Sequence, residues 1–323
     1  MVLVVILAFI LNFVLVKYWS RPNHQFVPSA VDNKEISIQT SQGAFQVNVS
    51  EYENGKIKIY WNLNGMQQDD PTLIEVIKNH VLIRPNDKGL NLKEEEKMLD
   101  GQYDQVPLIE KVLGLTRGKD PGFYIEAGAA DGKTISNSLY FEVEYGWTGL
   151  LVEPNPDYFD DLIDVHRNAW ILPHCLSTKP EVETVKFDVS DLVSGIMVDG
   201  KKPSQLNDKY ILDYIYRLLT PEKSYAREIQ VQCFPLYAVL MALDNPHVDY
   251  FSLDIEGAEA AILSTLPWDR INVTSWTIEV NHAGEIFPQS QADIRQFMQE
   301  KGYDLVGALH IDDVFFNKDL NRF

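Results

Sequence analysis

From residue 107 onward the sequence alternates short apolar segments with helical patterns, which limits the chain to few folds. Seven segments have the length and character of buried strands, and five of them are separated by predicted helices. The segments are residues 122–126, 149–153, 169–173, 250–254, 275–280, 305–309 and 313–317. This alternation predicts an α/β fold with a mostly parallel sheet between helices. The last two segments lie a few residues apart, as the strands of an antiparallel hairpin do.

The composition narrows the range of ligands. The 323 residues carry a net charge of −19, and no cluster of lysine and arginine offsets it. An acidic surface repels phosphate backbones, so we expect no nucleic acid partner. The two cysteines, Cys175 and Cys233, form no CxxC pair, which argues against a thiolate zinc site. They are compatible with one disulfide or with two buried thiols.

The first 19 residues predict a membrane anchor. Residues 2–16 are apolar except for Asn12, and Tyr18 and Trp19 follow them. As a helix this segment spans about 27 Å, close to the thickness of a bilayer's hydrocarbon core, and aromatic residues suit its interface. A cleaved signal peptide is the alternative, although no basic segment precedes the apolar run and no small-x-small site follows it closely. We therefore predict an uncleaved anchor at residues 1–19.

The orientation of this anchor stays open. Lys17 and Arg21 on its C-terminal side favour a cytosolic domain. The glycosylation sequons at Asn48 and Asn272, and the candidate disulfide, favour a lumenal one.

A small attachment is predicted between the anchor and the main domain. Residues 36–63 alternate in polarity, which predicts two or three short antiparallel strands. Pro71 opens a predicted helix that ends before Pro85. No recognisable chemistry lies in this region, so we interpret residues 20–102 as a stalk or packing subdomain before a main domain at residues 103–323.

One segment interrupts the regular alternation of the main domain. Residues 190–228 break the pattern, and we predict an inserted excursion with a helix at residues 210–219. Its position after the third strand predicts that it helps to shape a ligand pocket or a partner surface.

The first motif that carries chemistry is E-A-G-A-A-D-G, the turn after the first predicted strand. Gly128 permits a sharp turn and a close approach of the backbone to a ligand. A helix predicted to begin near Thr134 would offer unpaired N–H groups to a negative group. Glu126 is the first residue of this motif and Gly132 is the last. The pattern G-x-G-x-x-G is absent, which argues against a dinucleotide.

Two later motifs place further carboxylates at strand ends. Glu153 ends the second predicted strand, where an acid can accept hydrogen bonds from ribose hydroxyls. Asp254, Glu256 and Glu259 lie at or just after the end of the strand predicted at residues 250–254. Ligands bind at this edge of open α/β sheets. We predict that one of these acids binds substrate or acts as a base, while another fixes the loop.

The motifs E-A-G-A-A-D-G, V-E-P-N-P and L-D-I-E-G-A-E, in this order and spacing, resemble the FkbM methyltransferase family. Within that family the chain is most similar to the arthropod Star proteins. The similar stretches are residues 124–138, 146–156, 175–177, 232–237 and 249–259. The resemblance covers about residues 103–318. It implies a class I Rossmann-like fold with a seven-stranded sheet, and S-adenosylmethionine as the cofactor.

The resemblance also implies a cofactor site. The matching residues are Glu126, Gly128, Gly132, Glu153, Cys175 and Leu176. The turn at Gly128 would face the methionine carboxylate, and Glu126 would meet its ammonium group directly or through water. Glu153 would bind the ribose, and Cys175 with Leu176 would line the adenine pocket.

The implied reaction is methyl transfer to a hydroxyl oxygen of a small molecule, sugar or lipid. Asp254 and Glu256 match the family's acids near the transferred methyl group. His282 lies just beyond the strand at residues 275–280 and is a candidate base by its position. The reaction requires no metal, although clustered acids at Asp254 would attract Mg²⁺.

A second function follows from the similarity to Star proteins. These look like single-pass trafficking factors of the secretory pathway, which help to export growth-factor precursors from the endoplasmic reticulum towards the Golgi. A methyltransferase fold there could bind a membrane protein cargo without chemistry. The two shared cysteines then favour a Cys175–Cys233 disulfide in a lumenal domain.

Overall fold

The fold is that of a computed structural model. Main chain and side chains are described for residues 63–85, 87–93, 101–102, 104–116, 121–190, 193–205 and 227–323, and strand backbone for residues 33–40, 43–51 and 57–61. The predicted anchor at residues 1–19 and the predicted helix at residues 210–219 lie outside this set. No helix within the set combines the length and apolar character that a membrane crossing requires.

The elements are numbered in chain order. The strands are β1 (Asn33–Thr40), β2 (Gly43–Glu51), β3 (Ile57–Trp61), β4 (Phe123–Ala127), β5 (Thr148–Val152), β6 (Ala169–Leu172), β7 (Cys175–Leu176), β8 (Glu183–Val189), β9 (Gly195–Ile196), β10 (Arg227–Phe234), β11 (Val248–Leu253), β12 (Val273–Glu279), β13 (Asp304–Leu309) and β14 (Asp312–Phe316). The α-helices are α1 (Pro71–Val76), α2 (Gln105–Leu113), α3 (Leu139–Tyr145), α4 (Phe159–Asp164), α5 (Leu236–Ala242), α6 (Glu259–Thr265) and α7 (Gln291–Glu300).

The main sheet has seven strands in the order β13-β14-β12-β11-β4-β5-β6. All seven predicted strands belong to it, with ends shifted by one or two residues. Strands β6, β5, β4, β11 and β12 are parallel, while β14 is antiparallel to both of its neighbours. These observations confirm the prediction of an α/β fold with a mostly parallel sheet.

Both faces of the sheet are buried at its central strands. Successive side chains of a strand point to opposite faces, so Tyr124 and Ile125 of β4 belong to different hydrophobic clusters. Every residue of β11 and β12 is buried. Strands covered on both faces are read in the sequence as continuous apolar runs, which is why they were predictable.

Part of the predicted stalk packs against this sheet. Asp70 caps α1 by accepting a hydrogen bond from the Thr72 N–H at 2.7 Å. A π-helical turn (Ile77–Val81) continues the helix. Leu73 and Ile77 are fully buried in the same hydrophobic cluster as the sheet strands. Residues 63–82 therefore pack as part of the main domain, on the N-terminal side of the boundary predicted at residue 103.

The predicted strands within residues 36–63 are also present. Strands β1, β2 and β3 form a three-stranded antiparallel sheet in that order.

A second, four-stranded sheet was not predicted. Its order is β7-β10-β8-β9, with β10 parallel to β7 and antiparallel to β8. A disulfide between Cys175 and Cys233 joins β7 to β10. The predicted insertion, residues 190–228, begins after β8 and ends inside β10, so it connects two strands of this sheet.

Candidate functional site

The candidate site lies where the order of the main sheet reverses. From β4 the chain proceeds to β5 and β6 on one side, and from β11 to β12 on the other. Ligands of open α/β sheets bind at the carboxyl edge beside such a switch point. The loops after β4 and β11 are in contact there, since the Asp254 N–H donates to the Ala127 carbonyl at 3.1 Å.

Gly128 is required for this contact between loops. Its φ is +90°, and a Cβ atom built on it would lie 1.9 Å from the carbonyl oxygen of Asp254. The sequence predicted a close approach of Gly128 to a ligand. In the structure the close approach is to the loop after β11, so Gly128 shapes the site by holding two loops together.

Glu126 faces the interior of its own loop. One carboxylate oxygen accepts hydrogen bonds from the Ser136 hydroxyl at 2.7 Å and from the Ser138 hydroxyl. The other accepts from the Asn137 N–H at 2.7 Å. Both oxygens therefore help to fix residues 128–138, and one of them accepts a single hydrogen bond. The expectation that Glu126 meets the ammonium group of a cofactor, directly or through water, stays a prediction.

The helix expected near Thr134 begins later, because a side chain competes for its first N–H groups. Asp131 accepts hydrogen bonds from the Lys133 N–H at 3.2 Å and from both the N–H and the hydroxyl of Thr134 at 2.7 Å. Such local bonds favour a turn over a helix. Helix α3 starts only at Leu139.

Gly132 lies in this turn against α4. A Cβ atom on Gly132 would lie 2.6 Å from Cδ1 of Leu162. A glycine at this position is therefore explained by the close packing of the turn against helix α4.

Glu153 connects the loops after β4 and β5. Its carboxylate accepts from the Ala130 N–H at 2.8 Å and from the Asn155 N–H at 2.7 Å, one bond to each oxygen. The residue is only 8% exposed, and burial raises its pKa to about 7 although the Asn155 and Ala130 N–H groups act in the opposite direction. A carboxylate oxygen can accept two hydrogen bonds. Glu153 can therefore still accept ribose hydroxyls.

Cys175 and Leu176 do not present their side chains to an open pocket. Cys175 is buried and bonded to Cys233. Leu176 is buried in the core cluster that contains Val182 and Phe234. This corrects the expectation that both side chains line an adenine pocket. The physical reason is the second sheet, which the sequence did not reveal and which takes up both residues as strand β7.

The loop after β11 carries the predicted acids. Glu259 accepts from the Ile255 N–H at 2.8 Å and from the Gly257 N–H at 3.2 Å, so it is the acid that fixes the loop. Asp254 and Glu256 are half-buried at the same edge. Glu256 has a φ of +62°, a left-handed conformation that is uncommon for a residue with a side chain.

His282 lies against Glu256. Its Nε2 atom is 3.3 Å from Oε2 of Glu256, within ion-pair distance but not aligned as a hydrogen bond. Burial lowers the pKa of His282, but the Glu256 carboxylate outweighs it, so that the pKa is raised above its ordinary value. The structure thus brings together His282 and Glu256, which the sequence had predicted as separate candidates.

Glu279 is a member of this site that the sequence analysis missed. It is the last residue of β12 and is 2% exposed. Burial, followed by the negative charges of Glu256 and Asp254, raises its pKa well above the ordinary value. The signal was present, since an acid at the end of an apolar strand is the same pattern that pointed to Glu153. The strand was predicted to run to residue 280, so Glu279 did not stand at its end.

The three residues Glu256, Glu279 and His282 form a compact cluster. Each offers one ligand atom, and these atoms all lie within 4.8 Å of one another. The site therefore has two parts, with Glu153 on the β5 side of the switch point and this cluster on the β12 side.

Comparison with known proteins identifies a family. Residues 126–305 match the model of the methyltransferase FkbM domain, which is more than half of the chain and includes every residue of both parts of the site. No curated protein matches the chain.

Proposed function

Because the chain belongs to the FkbM methyltransferase domain family, we propose that it transfers a methyl group from S-adenosylmethionine to a hydroxyl oxygen. The observation that carries the proposal is the position of Glu153 and of the Glu256–His282 pair on the two sides of one switch point. An acid placed to bind the ribose on one side and an acid–imidazole pair on the other suit this reaction.

The cofactor part of the site is supported by chemistry and charge. When bound, S-adenosylmethionine supplies a methyl group that its positive sulfonium makes electrophilic. Glu153 would accept the ribose hydroxyls with its remaining lone pairs. Asp254 and Glu256 give this edge a negative field that suits a cation. The residues present therefore fit this cofactor.

The acceptor part would handle the proton of the hydroxyl. His282 is proposed as the base, with Glu256 holding its ring and favouring its protonated form. Asp254 is the second group proposed to accept the proton. The loops around Gly128 would align the two reactants and exclude water. The acceptor class that we propose is a hydroxylated small molecule, sugar or lipid.

The proposal is tested by transfer of a labelled methyl group. The full chain is incubated with methyl-labelled S-adenosylmethionine, Mg²⁺ and Mn²⁺, and separate pools of free sugars, glycolipids and hydroxylated metabolites. We expect label in one pool, as an ether that resists base hydrolysis. His282→Gln should reduce the rate by about 100-fold or more, since a general base contributes at least that factor.

A folded protein that binds the cofactor but labels no pool would contradict the catalytic proposal. That result would move a second candidate to first place, in which the domain is a non-catalytic, Star-like trafficking factor that binds a membrane protein cargo.

Two observations support a secretory location, which we propose for the domain with residues 1–19 as its membrane anchor. The Cys175–Cys233 disulfide suits an oxidising compartment. Asn272 is exposed in the loop before β12, so its side chain is accessible, and Asn48 lies in β2. A mobility shift on glycosidase treatment, lost in Asn272→Gln and Asn48→Gln together, is the expected result. Reduced cysteines in protein purified under thiol trapping would contradict it.

A further inference from the structure

We propose that Glu256, Glu279 and His282 form a binding site for a divalent metal ion. Glu256 comes from the loop after β11, whereas Glu279 and His282 come from the end of β12 and the loop behind it. Binding would join these two neighbouring loops at the acceptor part of the site. The binding itself stands on the geometry of the three side chains, and its catalytic use rests on the function proposed above.

The distances suit a metal ion. The three ligand atoms lie within 4.8 Å of one another. Two ligands on opposite sides of an ion, each about 2.1 Å from it, are about 4.2 Å apart. The side chains therefore need to move by less than about 1 Å to reach a common ion, which side-chain torsions can supply without a change of backbone.

Unsatisfied atoms provide independent support. Oε2 of Glu256 and Oε2 of Glu279 are buried, and neither has a hydrogen-bond partner among the described residues. Glu279 is only 2% exposed. A buried polar atom without a partner is costly, and native structures contain few of them. Two such atoms in one three-residue cluster point to a ligand that satisfies them.

Charge supports the same conclusion. Glu256 and Glu279 form no ion pair with lysine or arginine in the described part of the chain, and the Glu259 carboxylate is buried close by. Like charges gathered in a buried site repel each other, and a bound cation relieves that repulsion. His282 alone can supply at most one positive charge, whereas a divalent ion supplies two.

The ligand set indicates which ions fit. Two carboxylates and one imidazole suit Mn²⁺ or Zn²⁺, because an imidazole is a poor ligand for a hard ion such as Ca²⁺. An ion here would bind the acceptor oxygen and lower the pKa of its hydroxyl. With the ion bound, the Asp254 carboxylate would accept the proton, and the role of His282 as base proposed above would apply only to the metal-free protein.

The test uses the full chain without cofactor and follows Mn²⁺ by electron paramagnetic resonance. We expect one tightly bound Mn²⁺ per chain, which Zn²⁺ displaces and an equal concentration of Ca²⁺ does not. Glu279→Gln and His282→Gln should each weaken binding about tenfold or more, because each replaces a strong ligand by a neutral amide. Glu285→Gln is the matched control, since it removes a neighbouring charge outside the three ligands, and it should change affinity by less than about twofold.

Equal Mn²⁺ affinity in the wild type and in both ligand variants would overturn the proposal. Unfolding curves show whether each variant is folded. If one of the two variants does not fold, the other still tests the site. Titration of the same proteins with S-adenosylmethionine separates the two proposals. Cofactor binding without Mn²⁺ binding would overturn only the proposed metal site. Mn²⁺ binding without cofactor binding would overturn the proposed methyl transfer and support the metal site.

Discussion

At the scale of single residues, Glu153 is the group whose protonation should control cofactor binding. Its pKa of about 7 means that it gains a proton between pH 8 and pH 6. A neutral carboxyl group accepts hydrogen bonds from ribose hydroxyls less well than a carboxylate. We therefore expect the affinity for S-adenosylmethionine to fall by up to about tenfold from pH 8 to pH 6, in proportion to the ionised fraction. Calorimetric titration at both pH values measures this change.

The isosteric variant Glu153→Gln provides the control. It should bind weakly at both pH values and show no dependence on pH over this range. A wild-type affinity that is constant from pH 6 to pH 8, together with an equal affinity in Glu153→Gln, would remove Glu153 from the cofactor site.

Glutamates at the ends of strands have different hydrogen-bond surroundings in the structure, which limits what the sequence predicts. Glu126, Glu153 and Glu279 all occur at the ends of apolar strands. Glu126 is surrounded by two serine hydroxyls and a backbone N–H, while Oε2 of Glu279 has no partner among the described residues. The sequence locates such acids, because strand ends mark the ligand edge. It does not show which donors fold back onto them, because these donors come from loops whose path has no periodic pattern.

At the scale of elements, the loops after β4 and β11 form the frame of the site. Gly128→Ala would place a Cβ 1.9 Å from the Asp254 carbonyl at a φ of +90°. We expect a loss of stability of about 3 kcal/mol or more, since the strained conformation alone costs about 1–2 kcal/mol and the overlap adds to it. Cofactor binding should be lost as well, because the two loops must separate.

Gly146→Ala is the matched control at the C-terminal end of α3. Gly146 also has a positive φ, +68°, but a Cβ there would meet no described atom within 4 Å. The Gly146→Ala substitution should lower the free energy of unfolding by only about 1 kcal/mol and leave the cofactor affinity unchanged. Urea unfolding of both variants separates strain from overlap. Equal costs in the two variants would show that the loops do not constrain Gly128.

Elements with one strong pattern were predictable and others were not. The central strands of the main sheet are buried and stand out as apolar runs, as β11 does. Strand β13 was also recognised by its apolar residues, although none of its residues is buried. Strands β8 and β10 are exposed over their first halves and carry charges there, so they lacked this signal. The start of α3 was misplaced because the Asp131 side chain, rather than a helical turn, binds the nearest N–H groups.

At the scale of the whole molecule, residues 63–82 belong to the core. Leu63, Leu73, Val76 and Ile77 are fully buried, and α1 packs against α5. Each such side chain contributes about 1.5–3 kcal/mol on burial, so the four together match the stability of a typical domain. A chain that begins at residue 103 should therefore unfold without cooperativity and bind a hydrophobic dye. A chain that begins at residue 63 should unfold cooperatively.

Circular dichroism during heating distinguishes these two truncated chains. A cooperative transition of equal midpoint in both would contradict the assignment of residues 63–82 to the core. The sequence did not reveal this, because an amphipathic helix shows that it packs against something but not what it packs against.

Binding of S-adenosylmethionine to the full chain decides whether the molecule as a whole is built for methyl transfer. Calorimetry at pH 8 should give one cofactor per chain with micromolar affinity, displaced by S-adenosylhomocysteine and weakened about tenfold or more by Glu153→Gln. A folded, disulfide-bonded chain that releases no heat and binds neither compound would mean that this fold has kept its architecture without the cofactor chemistry of its family.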